Sequence, residues 1–337
     1  MSRFLKTLLV IALLGLLAWG GAAWVIHRPL PLEKSPLDLT IQPGSTMREV
    51  SRQVAEAGVG VPPWQLTLLA RLTQRASSVK AGSYQVEQGV SLNALLSKLT
   101  RGDVTQAELA IIEGWSLRQL RQALDRHEHL RHDTRGISET EIAGRLGLED
   151  IRLEGRFFPD TYLFPKNSSD LDVLRRAYRA GEKQLGAAWD GRAGDVPLAT
   201  PYEALVLASL VEKETGVAAD RPLVASVFYN RLRQGMLLQT DPSVIYGLGD
   251  RFDGNLRKSD LLSDTPYNTY TRRGLPPTPI AMPGLAALRA VLHPPRTEWL
   301  YFVARGDGSS QFSRTLEEHN QAVLRFQKRR AARDAGR

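Results

Sequence analysis

Residues 204–211 read ALVLASLV, apolar on every side of a helix, and the run ends on two acids, Glu212 and Glu214, just before Thr215 and Gly216. A helix with no polar face has to be wrapped by other elements, so this segment predicts a large domain built around a central helix over 201–214. Burial disfavours an ionised carboxylate and lifts its pKa, which is what a general acid needs near neutral pH. At 100° per residue Glu212 and Glu214 point about 200° apart and cannot face one cleft. Leu207, Leu210 and Val211 lead into Glu214, whereas Leu205, Ala208 and Ser209 lead into Glu212. The pattern favours Glu214 and leaves Glu212 as the alternative. A blander reading makes both acids surface residues flanking Lys213, although a helix C-terminus is unfavourable for negative charge.

The 337 residues are enough for a substantial core and two domains. The absence of cysteine excludes disulfides, thiol catalysis, cysteine-ligated zinc and a lipoprotein anchor. A net charge of +8 suggests nucleic acid until it is located. Residues 321–337 carry Arg325, Lys328, Arg329, Arg330, Arg333 and Arg337 against Asp334 alone, so most of the excess lies in a terminal tail that reads as a solvated helix end. No nucleic-acid partner is expected.

At the other end, Arg3 and Lys6 precede an uncharged run of 19 residues from Leu8 to Ile26. About 20 such residues span a bilayer as a helix, with the basic side cytoplasmic. Residues 1–7 are therefore expected in the cytoplasm, 8–26 as a single transmembrane anchor, and the body outside the inner membrane. Gly20 to Ala23 offer the competing reading of a cleaved signal peptide. The run continues through Trp24, Val25 and Ile26, beyond the usual apolar stretch of such a peptide, and this favours the anchor. The proline-rich stretch 27–37 reads as a tether.

From Leu39 a pattern recurs three times: an extended segment, a glycine, then an amphipathic helix opened by Thr46, Ser91 or Ser116. Glu49 and Gln119 stand three residues beyond two of these caps, at capping-box spacing. The first two units, with the intervening helix PPWQLTLLARLTQ, predict a small domain over 38–102. It resembles the LysM-like fold, which is associated with glycan binding. Residues 103–337 form the larger domain, and the overall class is α+β. The three histidines of HEHLRH (His127, His129, His132) lack both H-E-x-x-H spacing and an acidic cluster, so they read as a polar connection, and no metal or cofactor is expected.

No nucleophile elbow, phosphate loop or dinucleotide fingerprint competes with the carboxylate reading. Downstream, Gln239, Thr240, Asp241, Asn268, Tyr270 and Thr271 form a polar and aromatic set of the kind that holds sugars by hydrogen bonds and ring stacking. Gly274, Leu275, Pro276, Pro277 and Pro279 predict a rigid loop beside them.

The segments LASLVEKETG, ADRPLVASVFYNRLRQGMLLQTDPSVIYG, YNTYTRRGLPPTPIAMPG and HPPRTEWLYFVARGDGSSQFSRTLEEHN are similar to those of the endolytic murein transglycosylase (YceG-like) family. Similarity extends to AGSYQVEQGVSLNALLSKLTRG, IIEGWSL and the N-terminal anchor. The resemblance implies a membrane-held enzyme with a LysM-like part that cuts nascent peptidoglycan strands internally, terminating their elongation, beside peptidoglycan synthases. It implies that Glu214, the second acid of E-K-E, is catalytic, and that 1,6-anhydro ends form. Motif position gives Gln239, Asp241, Asn268 and Tyr270 as substrate-positioning residues. Two rival readings stay open: a hydrolase with Asp241 as base, and a non-catalytic glycan-binding scaffold.

Overall fold

The structure is a computed structural model that describes residues 3–148 and 152–334, with side chains described for 12–17, 19–148 and 152–326. In chain order its elements are α1 (Arg3–His27), β1 (Leu37–Ile41), α2 (Met47–Glu56), α3 (Pro63–Leu72), β2 (Gly82–Val86), α4 (Leu92–Arg101), β3 (Gln106–Ala110), α5 (Leu117–Arg126), β4 (Leu130–Arg131), α6 (Glu139–Leu146), β5 (Thr161–Pro165) and β6 (Ser168–Ser169). They continue with α7 (Asp170–Asp190), α8 (Pro201–Glu214), α9 (Arg221–Arg233), α10 (Asp241–Leu248), α11 (Lys258–Leu262), α12 (Leu285–Leu292), β7 (Tyr301–Ala304), β8 (Ser310–Ser313) and α13 (Leu316–Asp334). The class is mixed α and β, with two-stranded sheets β1–β2, β3–β5, β4–β6 and β7–β8.

The chain divides into two compact units. The first comprises residues 1–108 with 129–131 and 163–168, and the second holds 109–128, 132–162 and 169–337.

In the first unit β1 and β2 pair antiparallel with Leu39 opposite Tyr84. Alternation along β1 buries Leu37, Leu39 and Ile41, as a strand with one covered face requires. The apolar faces of α2, α3 and α4 close over them through Val50, Val54, Leu66, Leu95, Leu96 and Leu99. Tyr84 is fully buried and its hydroxyl donates to the carbonyl of Lys80 at 2.6 Å, so the ring adds apolar area without stranding a polar group. Local chemistry sets the helix starts. Thr46, Ser91 and Ser116 each accept an N–H from the first turn, and the Thr46–Glu49 and Ser116–Gln119 capping boxes are both formed. The preceding Gly44, Gly89 and Gly114 all have positive φ, which explains the glycine at the same point of each repeat.

Part of the stretch expected to be a tether is packed into this unit instead. Leu30 is buried, its N–H donates to Val90, and Pro31 accepts from Gly60 at 2.7 Å. Leucines alternating with prolines give this stretch side chains to bury, which a solvated tether lacks. The apolar run 8–26 lies within α1, and residues 8–11 and 18 fall outside the described side chains. Among the described residues no helix is long and apolar enough to cross a membrane.

The second unit is organised around α8. Every residue from Ala204 to Val211 is buried, and the helix packs against α7, α9, α10 and α12. A fully buried leucine contributes about 1.5–3 kcal/mol relative to exposure, so the apolar run that forces α8 inward also supplies much of this core. Its one polar member, Ser209, is satisfied. The hydroxyl donates to Val206 and accepts the N–H of Ile280 at 3.0 Å, tying the proline-rich loop to the helix. Tyr229 on α9 similarly donates to Val291 on α12 at 2.8 Å.

Candidate active site

Glu214 is the last residue of α8, and Thr215 beyond it is extended, so the carboxyl leaves the core where the backbone turns away. It lines a cavity of about 370 Å³ with Arg231, Gln239, Asp241, Tyr270 and Tyr301 among its neighbours. Burial pushes the Glu214 carboxyl up to about 7, helped by the charge of Asp241 and opposed by a hydrogen bond from Thr240 and by the Arg231 charge. The acid is therefore poised to hold and release a proton near neutrality.

Thr240 is buried and its hydroxyl donates to Glu214 Oε1. The segment around Thr240 is pinned from several directions. Thr240 N–H donates to Thr269 Oγ1 at 2.9 Å, Gln239 N–H to the Thr269 carbonyl at 3.1 Å, and Ser243 Oγ to the Thr240 carbonyl at 2.8 Å. Gln239 itself has φ +50, an unusual conformation for a side-chain-bearing residue. These bonds hold it there, with the side chain at the cavity.

Arg231 is buried on α9. Its guanidinium donates to the carbonyls of Leu300 at 2.7 Å and Leu238 at 2.8 Å and lies 5.2 Å from the Tyr301 ring centre. It supplies a fixed positive charge to the wall while fastening β7 to α9. Tyr270 donates its hydroxyl to Asp241 Oδ1 at 2.5 Å, and burial and that bond raise the phenol pKa. His319 stacks on Tyr301 with ring centres 5.3 Å apart and lines the same cavity. Burial and the Arg231 charge lower its pKa, which favours the neutral ring.

Of the residues expected from the sequence, Glu214, Gln239, Asp241 and Tyr270 come together in this cavity. Asn268 does not line it. Its side chain is buried, donating to the carbonyls of Asp260, Leu261 and Ser263 and accepting the N–H of Tyr270 at 2.8 Å, so it shapes the loop that carries Tyr270. Glu212 faces elsewhere. It accepts the Gly284 N–H at 3.0 Å and lies 3.6 Å from the Arg221 guanidinium, which makes it a brace between α8, α9 and the start of α12.

Sequence reasoning assigned no role to Arg231, Tyr301 or His319 and placed Thr240 only in a general polar set. The available signal for Arg231 was a charge inside the apolar helix RPLVASVFYNRLR. Among the described residues no group of three or more histidine, cysteine, aspartate or glutamate side chains could hold a metal ion.

Comparison with known proteins shows which family the chain is similar to. The model of the YceG-like family matches residues 39–325. A Bacillus subtilis protein named endolytic murein transglycosylase is 35% identical over 269 residues, 74% of this chain and 74% of that one. A Streptococcus pneumoniae protein of the same name is 28% identical over 94% of this chain, which spans 63% of that relative's length. The 2.6 Å crystal structure of a yceG-like protein from Listeria monocytogenes superposes with a TM-score of 0.53 at 28% identity, covering 86% of this chain and 99% of that one.

Proposed function

Because the chain belongs to the YceG-like family, we propose that it is an endolytic murein transglycosylase that cuts peptidoglycan glycan strands with Glu214 as its single acid–base group. The observation that carries this reading is the Glu214 carboxyl, raised to about 7 by burial and held by Thr240 at the wall of an open cavity. In its protonated form Glu214 donates to the glycosidic oxygen leaving C1 of N-acetylmuramic acid. The resulting carboxylate then takes the proton from the C6 hydroxyl of that same sugar as its oxygen attacks C1. One C–O bond breaks and one forms within the substrate, so a 1,6-anhydro end results and no water is consumed. A two-carboxylate glycosidase would need a second free acid for water or for a covalent intermediate. Asp241, which lines the same cavity and accepts the Tyr270 hydroxyl at 2.5 Å, is the residue that a hydrolytic alternative would use.

The antiparallel β1–β2 sheet with its intervening helices supports a LysM-like reading of the first unit as a glycan-holding part. The apolar run 8–26 supports a single-pass inner-membrane anchor with the body outside, within reach of peptidoglycan synthases. Glu214→Gln tests the chemical step. An amide keeps the shape but cannot transfer the proton, so strand cleavage should fall at least 10²-fold. A fall below tenfold would take the catalytic role away from Glu214.

A further inference from the structure

The largest cavity described in the second unit, about 910 Å³, is separate from the one that holds Glu214 and has no part in the chemistry above. Its lining includes Gln119, Gln122, Lys213, Tyr246, Phe252 and Tyr267. Two pairs of consecutive residues place it directly beside the candidate active site. Lys213 lines this cavity and Glu214 the other; Pro242 lines this cavity and Asp241 the other. The C-terminal end of α8 and the N-terminal end of α10 therefore form the divide, one residue of each element facing either side.

The lining has the mixed character of a carbohydrate site. The Tyr246 and Tyr267 rings meet edge to face at 4.8 Å and offer apolar surface for the C–H face of a sugar. Gln122 is exposed, and the Gln119 carbonyl oxygen accepts the Ser116 N–H at 2.9 Å, leaving its amide N–H groups as donors. Lys213 is exposed and donates to the Gly114 carbonyl at 3.2 Å, with further N–H donors remaining on the same ammonium. The lining is also anchored. The buried Glu154 carboxylate accepts the Leu117 N–H at 2.9 Å and the Tyr246 hydroxyl at 3.0 Å, joining the first turn of α5 to α10.

Resting on the murein-cleaving reading, we propose that this cavity binds further N-acetylated sugars of the same strand, with Lys213 donating to the lactyl carbonyl oxygen of a muramic acid unit, an amide where a stem peptide is attached and a carboxylate in peptide-free glycan. Endolytic cleavage requires a grip on chain beyond the scissile bond, and the two cavities are lined from the same ends of α8 and α10.

The test uses the full-length protein in detergent carrying Glu214→Gln, so that strands bind without being cut. Calorimetric titration with peptide-free glycan oligomers of two, four, six and eight sugars should show affinity rising at least tenfold between the shortest oligomer that binds and the longest. Adding Gln122→Trp, which fills the cavity from an exposed position, should abolish that gain, and Lys213→Ala should reduce it. Thermal melting identifies any variant that fails to fold. Should Gln122→Trp fail, Lys213→Ala decides. A length dependence preserved in the folded variants, or no length dependence in the parent, would overturn the proposal. Cleavage by the chain with Glu214 intact is scored separately. If that chain cuts nothing, the catalytic reading fails while the titration still decides whether this cavity holds glycan.

Discussion

The Glu214 carboxyl sits between two opposed influences, and each can be removed singly. Burial raises its pKa and the Thr240 hydroxyl lowers it by donating to the ionised form. Thr240→Val keeps the side-chain shape and deletes the donor, so the pKa should rise above about 7. A general acid works only while protonated, so kcat/KM should fall as pH rises through the Glu214 pKa, and in Thr240→Val that fall should move to higher pH. A pH–rate profile unmoved by the substitution would show that Thr240 does not tune the acid. Glu212→Gln should act differently, because Glu212 braces Gly284 and Arg221. We expect a lowered melting temperature and a smaller loss of activity than in Glu214→Gln, checked by thermal melts beside turnover. At this scale the place of Glu214, at the end of a buried helix and on a cavity wall, was legible because the apolar run before it is contiguous in sequence. Thr240 and Arg231 were not, since their contacts with the site depend on how α8, α9 and α10 pack. Asn268 shows the other limit: residue type announces a hydrogen-bonding group without saying whether ligand or backbone takes it.

Among the elements, the junction of α5 with α10 depends on Glu154, which lies outside the acid–base chemistry. Burial pushes its carboxyl up to about 7 from an ordinary 4.5, against the lowering effect of its bonds from Leu117 and Tyr246. The folded state therefore keeps this proton to about pH 7, whereas the unfolded chain releases it near 4.5. Its contribution is fully present below the lower value and is lost as pH rises towards the upper one, about 3 kcal/mol in all. Glu154→Gln has no proton to lose, so stability relative to wild type should increase from pH 4.5 to pH 8. Urea midpoints across that range check this, and parallel curves for the two proteins would contradict it. Helix starts were legible because caps and glycine turns are local: α2, α4 and α5 begin where the threonine and serine caps predict. The pairing of β3 with β5 and of β4 with β6 was not, because strands this short carry too little alternation to name a distant partner.

For the whole molecule, the proposed anchor is the claim that fractionation tests. Arg3 and Lys6 on one side of the apolar run 8–26 predict fractionation with membranes and an intact N-terminus. Recovery of a soluble protein beginning near Ala23 or Trp24 would replace the anchor by a cleaved leader. The return of 129–131 and 163–168 to the first unit was not readable from the sequence, because it rests on contacts between distant residues, such as the Ser83 hydroxyl donating to the Lys166 carbonyl at 2.8 Å. The central claim is that one carboxyl, Glu214, cleaves the strand without consuming water. Mass analysis of the new sugar ends, after incubating the full-length protein with purified glycan strands, tests it most directly. The account predicts 1,6-anhydro-N-acetylmuramic acid ends of unchanged total mass, absent with Glu214→Gln; reducing ends each heavier by one water would contradict it.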